Sequence, residues 1–182
     1  MEHNKKLAIA LGFFDGVHLG HQALLRRTVE RAMEHGMTPA VFTFDRSPKA
    51  VVTGQEVPLL TTPEERIRVI HTLFPIETVL VAPFNQKMMT MEWQAFLDML
   101  VEKHHAGWLV AGHDFRFGHK NQGDPEKLQV YAQQLGLGCD IIPAVTMDGS
   151  VISSTRIREL MLAGKLKEAN RLLGHNLLNQ FI

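Results

Sequence analysis

Hydrophobic residues fall along this chain in short unbroken runs, separated by stretches where they recur every third or fourth position. "LAIALGF", Leu7 to Phe13, has the length of a strand buried on both faces. From His21 to Gly36 the apolar positions Leu24, Leu25, Val29, Ala32 and Met33 follow helical spacing, with Gly36 as the closing cap. Thr38 to Phe44 predicts a second strand. Thr61 to Phe74 opens with Thr62 as a cap, Pro63 at the first helical position and two acids behind it, so it predicts a helix. A third strand follows over 77–84, a helix over 91–105, a fourth strand over 106–112, a helix over 124–136 and a fifth strand over 137–145. The Asp-Gly in "MDGS" marks a tight hairpin turn. Residues 153–174 predict two helices broken near Ala163 and Gly164.

Strand and helix alternating in this way predict an α/β fold: a Rossmann-like, doubly wound parallel sheet of about five strands with helices on both faces. With no internal repeat and no linker in view, residues 1–182 read as a single domain. Ligands of such a sheet bind beyond the carboxyl ends of its strands. Four segments arrive there: "GFFDGVHLGH" (12–21), "TFDRSP" (43–48), "PFNQK" (83–87) and "GHDFRFGHKNQGD" (112–124).

Composition narrows the partners. The chain carries 19 Lys and Arg against 19 Asp and Glu, a net charge of zero. A dedicated nucleic-acid binder needs an excess of cations to neutralise phosphates, so nucleic acid is not expected as a partner. The single cysteine, Cys139, has no partner for a disulfide or a structural zinc site and sits in an apolar context. No apolar run reaches membrane-spanning length, and the N-terminal "MEHNKKLAIALGFF" runs straight into the glycine-histidine stretch without a small-residue cleavage site. It reads as a strand, and the cytoplasm is the expected compartment.

The chemistry concentrates at two predicted helix starts. His18 and His21 flank Gly20, with Gly12 and Gly16 upstream. A helix N-terminus offers unpaired N–H groups and partial positive charge, and two imidazoles beside it can donate to phosphate oxygens. Phosphate contact is favoured over metal binding, since no His-Glu-x-x-His pattern is present. Walker A and Gly-x-Gly-x-x-Gly are absent too. The second start, "ISSTRIREL", places Ser153, Ser154 and Thr155 ahead of Arg156 and Arg158. Hydroxyls cap a helix, and together with arginine they also clamp an anion.

His-x-Gly-His alone is shared by many nucleotidyltransferases and class I tRNA synthetases. The longer strings "FDGVHLGHQALL", "FTFDRSPKAV", "LLTTPEERIRVI", "AGHDFRFGHKNQGD" and "SSTRIRELMLAGKLKEANRLLG" run in order over nearly the whole chain. In them the chain resembles the FMN adenylyltransferase domain of prokaryotic FAD synthetases. The resemblance implies transfer of AMP from ATP to FMN, giving FAD and pyrophosphate, with Mg2+ held mainly by the ATP phosphates and no metal ligand assigned to the chain. It implies His18, His21 and Arg158 as catalytic residues. Gly12, Phe13, Asp15, Gly16, Gly20, Ser153, Ser154, Thr155 and Arg156 would bind ATP, and Asp45, Ser47, Asp114, Phe115 and Phe117 the flavin. The chain departs from the family pattern at Phe13, commonly asparagine, and at Ser47, commonly histidine. The family usually continues into a riboflavin kinase barrel, which the resemblance does not extend to here. The alternatives are transfer to another phosphorylated small molecule, or a flavin- or nucleotide-binding regulator.

Overall fold

A computed structural model describes residues 5–176; the charged tip at residues 1–4, part of the stretch weighed above as a leader, lies outside them. Its elements, in order, are β1 (Leu7–Leu11), α1 (Leu19–Glu34), β2 (Thr38–Phe44), α2 (Pro48–Thr53), α3 (Pro63–Leu73), β3 (Thr78–Ala82), α4 (Gln86–Met89), α5 (Trp93–Glu102), β4 (Ala106–Gly112), α6 (Pro125–Gln134), β5 (Gly138–Ile142), the short strands β6 (Thr146–Met147) and β7 (Ser150–Val151), α7 (Ser154–Leu162) and α8 (Leu166–Leu173). A single 3-10 turn at His119–Asn121 interrupts the loop after β4.

The five long strands form one parallel sheet in the order β3-β2-β1-β4-β5. Side chains alternate across each strand, so β1 sends Ile9 and Leu11 to one face and Ala10 to the other. Ile9 and Leu11 join Phe42, Leu109 and Ala111 beneath α5 and α6, which contribute Phe96, Leu97, Leu100 and Leu128. Ala10, Val41 and Val110 face α1 and α3 through Leu24, Leu25 and Ile70. Both faces are covered, which is why the strands read as continuous apolar runs. A third cluster, of Leu60, Ile152, Ile157, Ala169, Leu172 and Leu173, docks α7 and α8 at the carboxyl edge.

The predicted doubly wound sheet is thus the observed one, and β2 and β4 carry the predicted boundaries. The β6–β7 hairpin turns at Asp148 and Gly149, both with positive φ (54° and 74°), as the Asp-Gly pair requires. Three details differ. β1 ends at Leu11, because Gly12 and Phe13 leave the sheet for the site. Met33 is not on the buried stripe of α1 but 80% exposed. The short helices α2 and α4, with no buried residue between them, carry no periodic signal and were not predicted. Cys139 is half-buried on β5, and burial pushes its thiol up to about 12, so it stays protonated.

Candidate active site

The strand order reverses at β1, whose neighbours β2 and β4 leave it in opposite directions along the sheet. Beyond that point opens a cleft of about 840 Å3, the size of a small-molecule site. One wall is the turn from β1 into α1. Phe14, Gly16 and Val17 take positive φ there (58°, 82° and 46°), which folds the chain back and starts the helix at Leu19. His18 is the N-cap: its Nδ1 accepts from the backbone N–H of His21 at 3.2 Å. The His18 and His21 rings stack 3.5 Å apart, 16° from parallel, and the edge of Phe14 backs His21.

Burial dominates both imidazoles. It pushes His18 down to about 4 against the opposing pull of a backbone hydrogen bond and the Asp114 carboxylate. It pushes His21 well below the usual histidine range, reinforced by His18 and by the cationic Arg66. Near neutral pH both rings are therefore uncharged. Because His18 Nδ1 is an acceptor, its single proton sits on Nε2, which makes that atom a donor.

Asp15 ties three distant segments together. Its carboxylate is 2% exposed and accepts from the N–H groups of Leu60 and Thr61 at 2.9 and 3.0 Å and from Arg158 Nη2 at 2.8 Å. The Asp15 carbonyl accepts from Ser154 Oγ at 2.8 Å, and Arg158 Nε donates to the Pro58 carbonyl at 2.6 Å. This brings the start of α7, capped by Ser153, to the same cleft as the start of α1. Gly12, Phe13, Gly20, Ser153, Ser154, Thr155 and Arg158 all line it. Gly16 does not: its N–H donates to Thr61 Oγ1, and a Cβ there would fall 2.8 Å from Leu60. Arg156 does not either, for its guanidinium donates to the carbonyls of Met147 and Ser150 behind the helix.

Away from the helix starts the cleft lining groups apolar side chains with the polar Lys49, His119 and Lys120 among them. Phe115 and Phe117 stack 5.3 Å apart, and Phe44, Phe84, Met88 and Met91 lie along the same wall. Asp114 lines it, and so does Ser47, which caps α2 through Ala50 N–H. Asp45 is not on the cleft; it accepts from Phe84 N–H at 2.9 Å and pins the chain after β3 to the end of β2. The methionines and the buried Arg66 were missed by sequence reasoning. Arg66 carried a signal, since it occupies the core-facing position of α3 one turn before Ile70. Among the described residues no three His, Cys, Asp or Glu side chains converge to hold a metal.

A cleft with two helix starts at one end and an aromatic wall at the other invites comparison with known proteins. The family model for FAD synthetase matches residues 1–156. The chain belongs to the FAD synthetase family. A bifunctional riboflavin kinase/FMN adenylyltransferase of Listeria monocytogenes is 36% identical over 92% of this chain and 53% of its own length. Its Bacillus subtilis counterpart is 34% identical over 95% of this chain and 55% of its own length. A putative one of Geobacillus thermodenitrificans is 35% identical, with 91% of this chain and 88% of that protein aligned. Thus this member of the FAD synthetase family spans about half the length of the first two relatives and most of the third. A crystal structure described as a macrolide-efflux protein from Streptococcus pneumoniae superposes with a TM-score of 0.84 at 31% identity, over 94% of this chain and 57% of that one. No helix among the described residues of this FAD synthetase chain is long and apolar enough to cross a membrane.

Proposed function

We propose that the chain transfers AMP from ATP to FMN, giving FAD and pyrophosphate. The observation that carries this reading is the joining of two helix starts, α1 and α7, across one cleft through Asp15. Each start presents unpaired N–H groups toward an anion. The triphosphate lies between "GVHLGH" and "SSTRIR", and the flavin lies along Phe115 and Phe117.

The nucleophile is an oxygen of the FMN phosphate, already largely dianionic near neutral pH because its second pKa is about 6. It forms a bond to the α-phosphorus of ATP. The bond from that phosphorus to the bridging oxygen breaks, and its electron pair leaves with pyrophosphate. No proton need be removed from the nucleophile. The work left to the chain is alignment and the stabilisation of growing charge. His18 and His21 serve as neutral N–H donors on the phosphates, while Ser153, Thr155 and Arg158 take the departing end.

The donors on the cleft suit phosphate oxygens better than a metal. Asp15 is already engaged by Arg158 and by Leu60 and Thr61. Mg2+ would accordingly be held by the triphosphate and would neutralise charge there. ATP as the donor fits a cytoplasmic setting.

The test supplies the chain with ATP, Mg2+ and FMN, or riboflavin in its place, and follows flavins by chromatography and pyrophosphate by a coupled assay. FAD and pyrophosphate should form together from FMN. Riboflavin, lacking the attacking phosphate, should give neither. In the same assay His21→Ala should lower turnover about 100- to 1,000-fold, as loss of one donor to a charged transition state does. Pyrophosphate released with another phosphorylated acceptor and not with FMN would overturn the flavin assignment.

A further inference from the structure

Arg66 is the largest fully buried side chain of the described residues, at 0% exposure, and it lies directly behind the site. Its Nη1 donates to Thr43 Oγ1 and to the Phe44 carbonyl, both at 3.0 Å. Its guanidinium carbon lies 4.1 Å from the centre of the Phe13 ring. Thr43 Oγ1 in turn donates to the Phe13 carbonyl at 2.8 Å. Phe13 is thus held twice, through its ring and through its backbone, at the point where it lines the cleft.

That grip does not satisfy the arginine. Its Nε and Nη2 are buried without a partner. Taking an ion out of water in this way is unfavourable, and an apolar residue of similar volume commonly does as well or better where only stability is at stake. Nor is the charge locally neutralised. The acids that favour it are Asp15 and Glu64, and Asp15 is already in direct contact with Arg158. Glu64 is exposed to solvent, so two guanidinium groups share one buried carboxylate, and the positive charge behind the turn that carries His18 and His21 is only partly balanced within the protein interior. The field reaches that turn, for Arg66 is among the causes that hold His21 neutral. In a low-dielectric interior such a charge acts over longer distances than in water.

We infer that Arg66 is a positioning residue of the nucleotide site, which fixes Phe13 at the rim and supplies buried positive charge behind the phosphate cradle without touching the ligand. The inference rests on the adenylyl-transfer reading for its choice of ATP as the ligand. It separates a charge role from a packing role, because ATP carries phosphates and adenosine presents the same base and sugar without them.

The test is calorimetric titration of the full chain with MgATP and with adenosine. Arg66→Met should weaken ATP about tenfold and adenosine less than about twofold. Arg66→Lys keeps the charge, so its ATP-to-adenosine ratio should stay within about threefold of the unmodified chain. Should Arg66→Met fail to fold, Arg66→Gln makes the same comparison, since it removes the charge and retains an N–H donor for Thr43 and the Phe44 carbonyl. Equal weakening of both ligands, no loss for ATP, or a lysine variant with a ratio as poor as that of the neutral ones would each overturn the inference. Absence of FAD synthesis by the unmodified chain sinks the flavin reading and leaves this comparison intact.

Discussion

An imidazole that stays neutral inside the fold makes stability depend on pH. His18 titrates at about 4 in the folded chain, against about 6.5 when unfolded. Between those values the unfolded chain takes up a proton that the folded chain refuses. Stability is therefore full above the unfolded value and is lost as pH falls toward 4. At pH 5 His18 alone amounts to about 2 kcal/mol, and the lowered His21 and His175 act in the same direction. Urea unfolding at pH 7 and pH 5 should show this loss, and His18→Asn should flatten the pH dependence while keeping a side-chain acceptor at the N-cap. An equal pH slope in the variant would mean that His18 is not the group responsible. The nitrogen that carries the His18 proton was beyond the reach of the sequence, since it depends on a hydrogen bond formed only once the helix has started.

At the scale of elements, most of the architecture was legible because its signals are local. Thr62 caps α3 and Pro63 sits at its first position, as read from the sequence, and the structure adds that Glu65, one of the first-turn acids, closes a capping box with Thr62. The site was less so. Arg156 and Arg158 look alike in "TRIR", yet residues two apart on a helix point to different sides. Only Arg158 can meet Asp15, which lies 143 positions away. No local pattern announces that encounter, nor the approach of Leu60 and Thr61 to the same carboxylate. The loop after β4 is similar. Gly118 there has φ 75°, and a Cβ would fall 2.6 Å from the Trp93 backbone. Gly118→Ala combines a strained backbone with a clash that no rotamer relieves, and should cost about 1–3 kcal/mol. Because Phe115 and Phe117 sit on this loop, the substitution should also raise the KM for FMN more than that for ATP. A raised ATP KM with FMN unaffected would remove the loop from the flavin end.

At the scale of the molecule, Asp15 joins three bodies of structure: the turn after β1, the bend that leads into α3 and the start of α7. Removing one partner of a buried ion pair leaves the other uncompensated and costs about 3–5 kcal/mol. Asp15→Ala should therefore lower the urea midpoint by more than any single substitution on the exposed face of α7, and should lower FAD formation as Arg158 loses its anchor. A variant with unaltered stability would show that packing of Leu60 against Ile157 and Leu173 holds these segments unaided.

The same carboxylate sets an order on synthesis at the ribosome. Asp15 is translated before four of the five sheet strands, which are complete once Ile142 has emerged. Arg158 follows Asp15 by 143 residues, an interval on the order of ten seconds at ordinary elongation rates. Through that interval a nascent chain holds the α1 side of its cleft and lacks the α7 side. The α7 side of the cleft is therefore joined to the α1 side only after the whole sheet has been made, and a ribosome that stalls between Ile142 and Arg158 leaves a sheet whose Asp15 carboxylate still lacks its cation.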